Sequence, residues 1–225
     1  MKKILISDFD KTLFTNAYKE NIKAIKKFRQ EGNIFVIATG RPLCFLVPDL
    51  QELEVDYYIC NDGTTIFDKN FNILHSEVID KEIIIKIKEE FEKNDYLEEW
   101  YINEPRKISK NIDGELNGII GKFNIKSSEL VKKINENFED LYAYNSTKWI
   151  NVVKRGVSKK FGILKLMELK NFKYEQIITV GDNENDIEMN SYFESYCVKD
   201  SKEKLIKVSK HKVNEVYEII EDKKR

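Results

Sequence analysis

Ile4-Leu5-Ile6-Ser7-Asp8-Phe9-Asp10-Lys11-Thr12-Leu13 is the stretch from which the fold is read. The apolar run Ile4–Ile6 predicts a buried strand. Its end delivers two carboxylates, Asp8 and Asp10, to the C-terminal edge of a sheet, where open α/β folds place their ligands. Two aspartates one residue apart can divide covalent phosphoryl chemistry. One attacks phosphorus and the other moves a proton. An Asx-rich turn closing a strand would explain an isolated Asp-x-Asp as well, so its meaning depends on the rest of the chain.

Working outward, short apolar strands alternate with helices. Residues 3–7, 34–38 and 56–60 read as strands, and residues 19–31 as a helix stopped by Gly32. A further helix is expected from Pro42. Asn61-Asp62-Gly63 is a turn signal, and 64–67 with 73–77 read as a hairpin around 68–72. The alternation implies a doubly wound, mainly parallel, Rossmann-like α/β sheet. From residue 78 the pattern changes to helix 80–94, strands 97–103 and 117–125, helix 127–139, and strands 141–145 and 148–153. That αββαββ order predicts a small antiparallel sheet backed by two helices. The α/β pattern resumes with helix 158–169 and strand 177–180, then a weak strand at 195–198 and helices at 201–208 and 213–222. A split domain, 1–77 with 154–225, is therefore expected to carry an insertion at 78–153.

Three further pieces belong to the split domain. Thr39-Gly40-Arg41 offers a hydroxyl and backbone N–H groups at a helix entrance, able to hold phosphate oxygens. Lys159 begins a helix after Gly156-Val157-Ser158, where it can approach both a phosphate and a nucleophilic carboxylate. Gly181-Asp182-Asn183-Glu184-Asn185-Asp186 ends a strand, with Asp186 one helical turn beyond Asp182. Paired carboxylates, with a third from another strand, suit Mg²⁺.

These four motifs, in this order, resemble the haloacid-dehalogenase (HAD) superfamily of aspartyl-phosphate hydrolases. The inserted module resembles the cap of its Cof-type subfamily IIB. The resemblance implies that Asp8 is the nucleophile and Asp10 the general acid and base. It implies Mg²⁺ held by the Asp8 carboxylate, the Asp10 backbone carbonyl and Asp182, with Asp186 close by, directly or through water. Thr39, Gly40, Lys159 and Asn185 would hold the transferring phosphoryl group. An aspartate at position 10 points to phosphatases and phosphomutases. The expected activity is hydrolysis of a small phosphorylated metabolite, a sugar phosphate or related monoester, under a closing cap. A phosphohexomutase and a catalytically silent binding module are the rivals. The chain departs from the usual motif glycines at Lys11 and Lys160, and no Gly-Val segment is visible near Asp200, so an abbreviated C-terminal edge is expected.

Composition narrows the classes. The 225 residues include 41% hydrophobic and 34% charged residues with a net charge of -1. The near-zero balance argues against nucleic acid as a partner, which needs clustered basic charge. The apolar runs are too short for a bilayer. Cys44, Cys60 and Cys197 form no Cys-x-x-Cys pair and read as small buried hydrophobes in a reducing cytoplasm. A cytoplasmic monomer or homodimer is expected. His75 and His211 lack an acidic partner at useful sequence spacing.

Overall fold

The structure, a computed structural model, describes residues 1–125, 127–146 and 148–222. In chain order it contains β1 (Ile4–Ser7), α1 (Tyr18–Gln30), β2 (Ile34–Ala38), α2 (Leu43–Leu46), β3 (Tyr57–Cys60), β4 (Thr65–Asp68) and β5 (Ile73–Ser76). Then follow α3 (Lys81–Glu92), β6 (Leu97–Asn103), β7 (Ile108–Ser109), β8 (Gly118–Phe123), α4 (Ser128–Asn137), β9 (Leu141–Ser146) and β10 (Trp149–Lys154). The last stretch holds α5 (Lys159–Lys170), β11 (Ile177–Gly181), α6 (Ile187–Tyr192), β12 (Glu194–Val198), α7 (Glu203–Val208), β13 (His211–Val213) and α8 (Val216–Asp222). Two compact units result. One comprises Met1–Arg41, Val47–His75 and the chain from Ser158 on, and the other Pro42–Leu46 with Ser76–Val157.

The first unit is built on an eight-stranded sheet in the order β13-β12-β11-β1-β2-β3-β4-β5. β1 pairs in parallel with both β11 and β2, and β12 and β3 continue the parallel pairing on either side. All residues of β1, β2 and β11 are buried, as expected for strands covered on both faces. The chain leaves β1 toward β2 and returns from the other side through β11. A topological switch point therefore lies at the C-terminal end of β1, where such sheets open a crevice. The core packs Ile4, Ile6, Val36, Ile59 and Ile66 with Ile163 and Leu166 of α5 and Met189 and Phe193.

Helix α5 is fixed at its start. The Ser158 hydroxyl accepts a hydrogen bond from the Phe161 N–H at 3.3 Å, leaving Lys159 as the first helical residue. Gly63 permits this placement. It has φ +104°, and a Cβ there would stand 2.0 Å from the Ser158 carbonyl oxygen. Only glycine lets the turn after β3 lie directly against the entrance of α5.

The second unit contains a five-stranded sheet, β7-β6-β8-β10-β9. Its pairings are antiparallel. Ile84, Ile87 and Phe91 of α3 and Leu130 and Ile134 of α4 pack on Ile102, Ile119, Phe123, Ile150 and Val152 of the sheet. Phe91 meets Phe123 edge to face at 5.4 Å. Truncating such a buried ring costs about 3–5 kcal/mol.

Several expectations need correction. The helix after Pro42 lasts only four residues. Pro48, which has no N–H, follows in a 3₁₀ turn. Cys44 is only half-buried, whereas Cys60 and Cys197 are buried. β7 adds a strand between the expected strands 97–103 and 117–125, and its two residues are too few to show a period. The C-terminal edge is not abbreviated, since His211–Val213 pairs in parallel with β12. That strand takes Val213 out of the last helix. It also sets His211 Nε2 2.7 Å from Glu194 Oε1, an acidic partner from the neighbouring strand.

Candidate active site

The site forms where β1 and β11 end side by side. The Asp8 N–H donates to the Val180 carbonyl at 2.9 Å, which carries the ladder one residue past β1. Asp8 and Asp182 thus emerge from adjacent strands. Asp186 joins them differently from the helical-turn expectation. Glu184–Asp186 is a 3₁₀ turn, and α6 begins only at Ile187. The Asp186 carboxylate folds back so that its Oδ2 accepts the N–H groups of Asp182 and Asn183, each at 3.0 Å. Gly181 makes room for this. A Cβ at that position would come within 2.4 Å of the Asp186 carboxylate.

Lys159 reaches into the centre from α5. Its Nζ donates to Asp8 Oδ1 at 2.5 Å and to Asp186 Oδ1 at 2.7 Å, and its side chain is wholly buried. Burial works against the ammonium, but Asp186 and Asp8 outweigh it and hold Lys159 above its ordinary value. Burial raises the Asp8 carboxyl, which Lys159 pulls down and Asp186 pushes up, to a net value of about 8. Asp182 is also raised, first by burial and then by Asp186, although the Thr12 hydroxyl donates to its Oδ1 at 3.1 Å. Carboxylate oxygens of Asp8, Asp182 and Asp186 lie within 4.8 Å of one another. Three buried acids face one buried lysine, so when all three are ionised negative charge is in excess. An all-oxygen donor set with that excess fits a hard divalent cation.

Asp10 stands apart from the buried trio, its side chain 48% exposed. Both of its oxygens accept from Arg41, Oδ2 from Nε at 2.7 Å and Oδ1 from Nη2 at 2.5 Å. The next residue, Lys11, holds φ +59°. The motif position where glycine is usual is thus a left-handed one, here occupied by a side chain at some cost in strain.

Thr39 is buried after β2, and its Oγ1 accepts the Arg41 N–H at 3.1 Å. Its carbonyl accepts the Asp62 N–H at 3.0 Å. The Asp62 carboxylate lies against Gly40, where a Cβ would sit 3.1 Å from both carboxylate oxygens. Asn185 is exposed and donates from Nδ2 to Asp62 Oδ1 at 3.0 Å. Asn185 is therefore tied to the second loop through Asp62. Asn61, with only 3% of its surface exposed, has neither side-chain polar atom hydrogen-bonded.

The structure thus gathers Asp8, Lys159, Asp182 and Asp186 into one buried group and places Asp10 on Arg41. Thr39, Gly40 and Asn185 are linked through Asp62. Sequence reasoning missed Thr12 and Asp62. Thr12 could have been found from its place in the first motif, two residues beyond Asp10. Asp62 carried no signal beyond a turn.

A sequence profile of haloacid dehalogenase-like hydrolases matches residues 5–117 and 106–218. The chain belongs to the haloacid dehalogenase-like hydrolases. It is 26% identical over 198 residues to the 5-amino-6-(5-phospho-D-ribitylamino)uracil phosphatase YcsE of Bacillus subtilis, covering 83% of this chain and 79% of that one. It is 22% identical over 188 residues to a phosphoglycolate phosphatase of Methanococcoides burtonii, covering 83% and 78%. Among solved structures, a haloacid dehalogenase-like hydrolase from Bacteroides thetaiotaomicron superposes with a TM-score of 0.84 at 16% identity, covering 99% of both chains. A HAD subclass IIB sugar phosphatase superposes with a TM-score of 0.81 at 18% identity, again over 99% of both chains. The two structural matches establish the shared fold. As in those hydrolases, the chain combines a parallel-rich sheet with helices. None of its described helices is long and apolar enough to cross a membrane.

Proposed function

We propose that this hydrolase is a Mg²⁺-dependent phosphatase, cytoplasmic and acting on a small phosphorylated metabolite, a sugar phosphate or related monoester, through a phosphoryl group carried on Asp8. The observation that carries this reading is the buried group in which Lys159 bridges Asp8 and Asp186 beside Asp182. In it, residues 1–77 and 154–225 form the catalytic domain and 78–153 the inserted cap. Three free cysteines accord with a reducing compartment.

Asp8, Asp182 and the Asp10 backbone carbonyl would hold Mg²⁺. When bound, the ion supplies positive charge that keeps Asp8 ionised and offsets repulsion between the phosphate and the nucleophile. Asp186 spends both oxygens on Lys159 and on two backbone N–H groups. It would hold Lys159 and the loop beside the ion, meeting the ion directly or through water.

In the first step an Asp8 oxygen bonds to phosphorus as the bond to the leaving oxygen breaks. Asp10 gives its proton to that oxygen. In the second step Asp10 takes a proton from water, whose oxygen bonds to phosphorus, and the Asp8–phosphorus bond breaks to release inorganic phosphate. Lys159, the Thr39 hydroxyl and the Gly40 N–H would meet charge on the transferring group, and Asn185 would close the set from the fourth motif.

Hydrolysis of p-nitrophenyl phosphate and a panel of sugar phosphates, with and without Mg²⁺, tests this reading. Asp8→Asn is expected to abolish turnover and leave the fold intact. Substantial residual turnover would contradict it.

A further inference from the structure

We propose that Arg41 is the positioning residue for Asp10, fixing the direction in which the acid delivers its proton. The proposal rests on the phosphatase reading. Asp10 follows β1 on a loop and leaves about half its side chain in solvent. An aspartate so placed samples several rotamers, whereas a general acid must point at one oxygen. The Arg41 fork meets both oxygens of the ionised Asp10, the form left once its proton is given, and so fixes the plane of the group as well as its distance. A protonated Asp10 would still accept from Arg41 through its carbonyl oxygen, with the hydroxyl turned toward the leaving group.

Arg41 is itself held from several directions. Its third nitrogen, Nη1, donates to Asp49 Oδ2 at 2.7 Å. The guanidinium carbon stands 5.1 Å from the centre of the Phe9 ring. The backbone is pinned too, because the Arg41 N–H donates to Thr39 Oγ1 and its carbonyl accepts the Asn61 N–H at 3.1 Å. Three consecutive residues, Thr39 to Arg41, therefore tie the phosphate cradle to the proton donor.

An ion pair that only stabilised the fold would not care which ester is cleaved. A positioning residue would. Dinitrophenolate departs without a proton, whereas phenolate needs one. The experiment measures kcat/KM with Mg²⁺ for 2,4-dinitrophenyl phosphate and phenyl phosphate, two esters that differ only in the leaving group. Arg41→Met is expected to lower kcat/KM for phenyl phosphate by about tenfold or more beyond its effect on the dinitro ester, a share of the 10²–10⁴-fold that acid–base help supplies. Arg41→Lys should recover part of the loss, since one ammonium can meet one oxygen but cannot fork. Asp49→Asn, which loosens Arg41 from the other side, should shift the ratio in the same direction by less. It carries the comparison if Arg41→Met does not fold.

Equal losses on the two esters, or none, would overturn the proposal while the phosphatase reading stands. A wild-type protein inert to both esters would overturn the two together.

Discussion

The Lys159 ammonium donates to Asp8 Oδ1 across 2.5 Å, deep in the first unit and out of contact with solvent. The same nitrogen holds Asp186 at 2.7 Å, so one cation serves two buried acids. Replacing it by methionine keeps the bulk and deletes the charge. Lys159→Met is expected to cost about 3–5 kcal/mol of stability in the metal-free protein above pH 8, where Asp8 is ionised and two carboxylates lose their partner inside the fold. Urea unfolding in the presence of a chelator measures it. A loss below about 1 kcal/mol would show that the acids are neutral there without help.

Asp8 gives the metal-free protein a specific pH dependence. Its folded value, about 8, lies above the ordinary 3.8, so the folded chain binds this proton more tightly than the unfolded one. The resulting stability is fully present below the ordinary carboxylate range and is lost as pH rises through about 8. With chelator present, wild-type melting temperature should fall from pH 6 to pH 8 by more than that of Asp8→Asn. Added Mg²⁺ should raise it more at pH 8 than at pH 6, because fewer Asp8 protons have to be displaced there. Parallel pH profiles of the two proteins would contradict this.

Thr12 offers a test of the proposed ion site without touching a carboxylate. Its hydroxyl donates to Asp182 Oδ1 at 3.1 Å, fully buried. Thr12→Val removes that donor at nearly constant shape. The concentration of Mg²⁺ needed for half-maximal activity should rise about tenfold, the range seen for partners behind metal ligands. Titration of activity against Mg²⁺ gives the answer directly. An unchanged midpoint would free Asp182 from the assigned role.

Gly63 couples the turn after β3 to the Lys159 helix. Gly63→Ala would meet the Ser158 carbonyl and a left-handed φ of +104° at once. A destabilisation on the order of 1–3 kcal/mol is expected from the backbone alone. Activity should fall too, because α5 must shift and Lys159 shifts with it. Chemical denaturation and turnover, measured on the same preparation, separate the two effects.

Much of this was legible in the chain itself. Strands such as Ile34–Ala38 are short, apolar and bounded, and they lie where the pattern puts them. The four motifs could be read because each sits at a strand end or helix entrance, where few residue types serve. What escaped was tertiary. Asp186 reaches the site by folding back onto two backbone N–H groups, and no helical periodicity encodes that. Asp62 reads in sequence as a turn residue, and only the folded turn places its carboxylate between Gly40 and Asn185. His211 found Glu194 only once the edge strand β13 had formed beside β12.

Acid quenching of the wild-type protein during turnover, followed by peptide mass spectrometry, examines the central step itself. The account predicts one phosphoryl group, located on Asp8 and missing from Asp8→Asn. Sustained hydrolysis of the same ester with Asp8 never modified would contradict it.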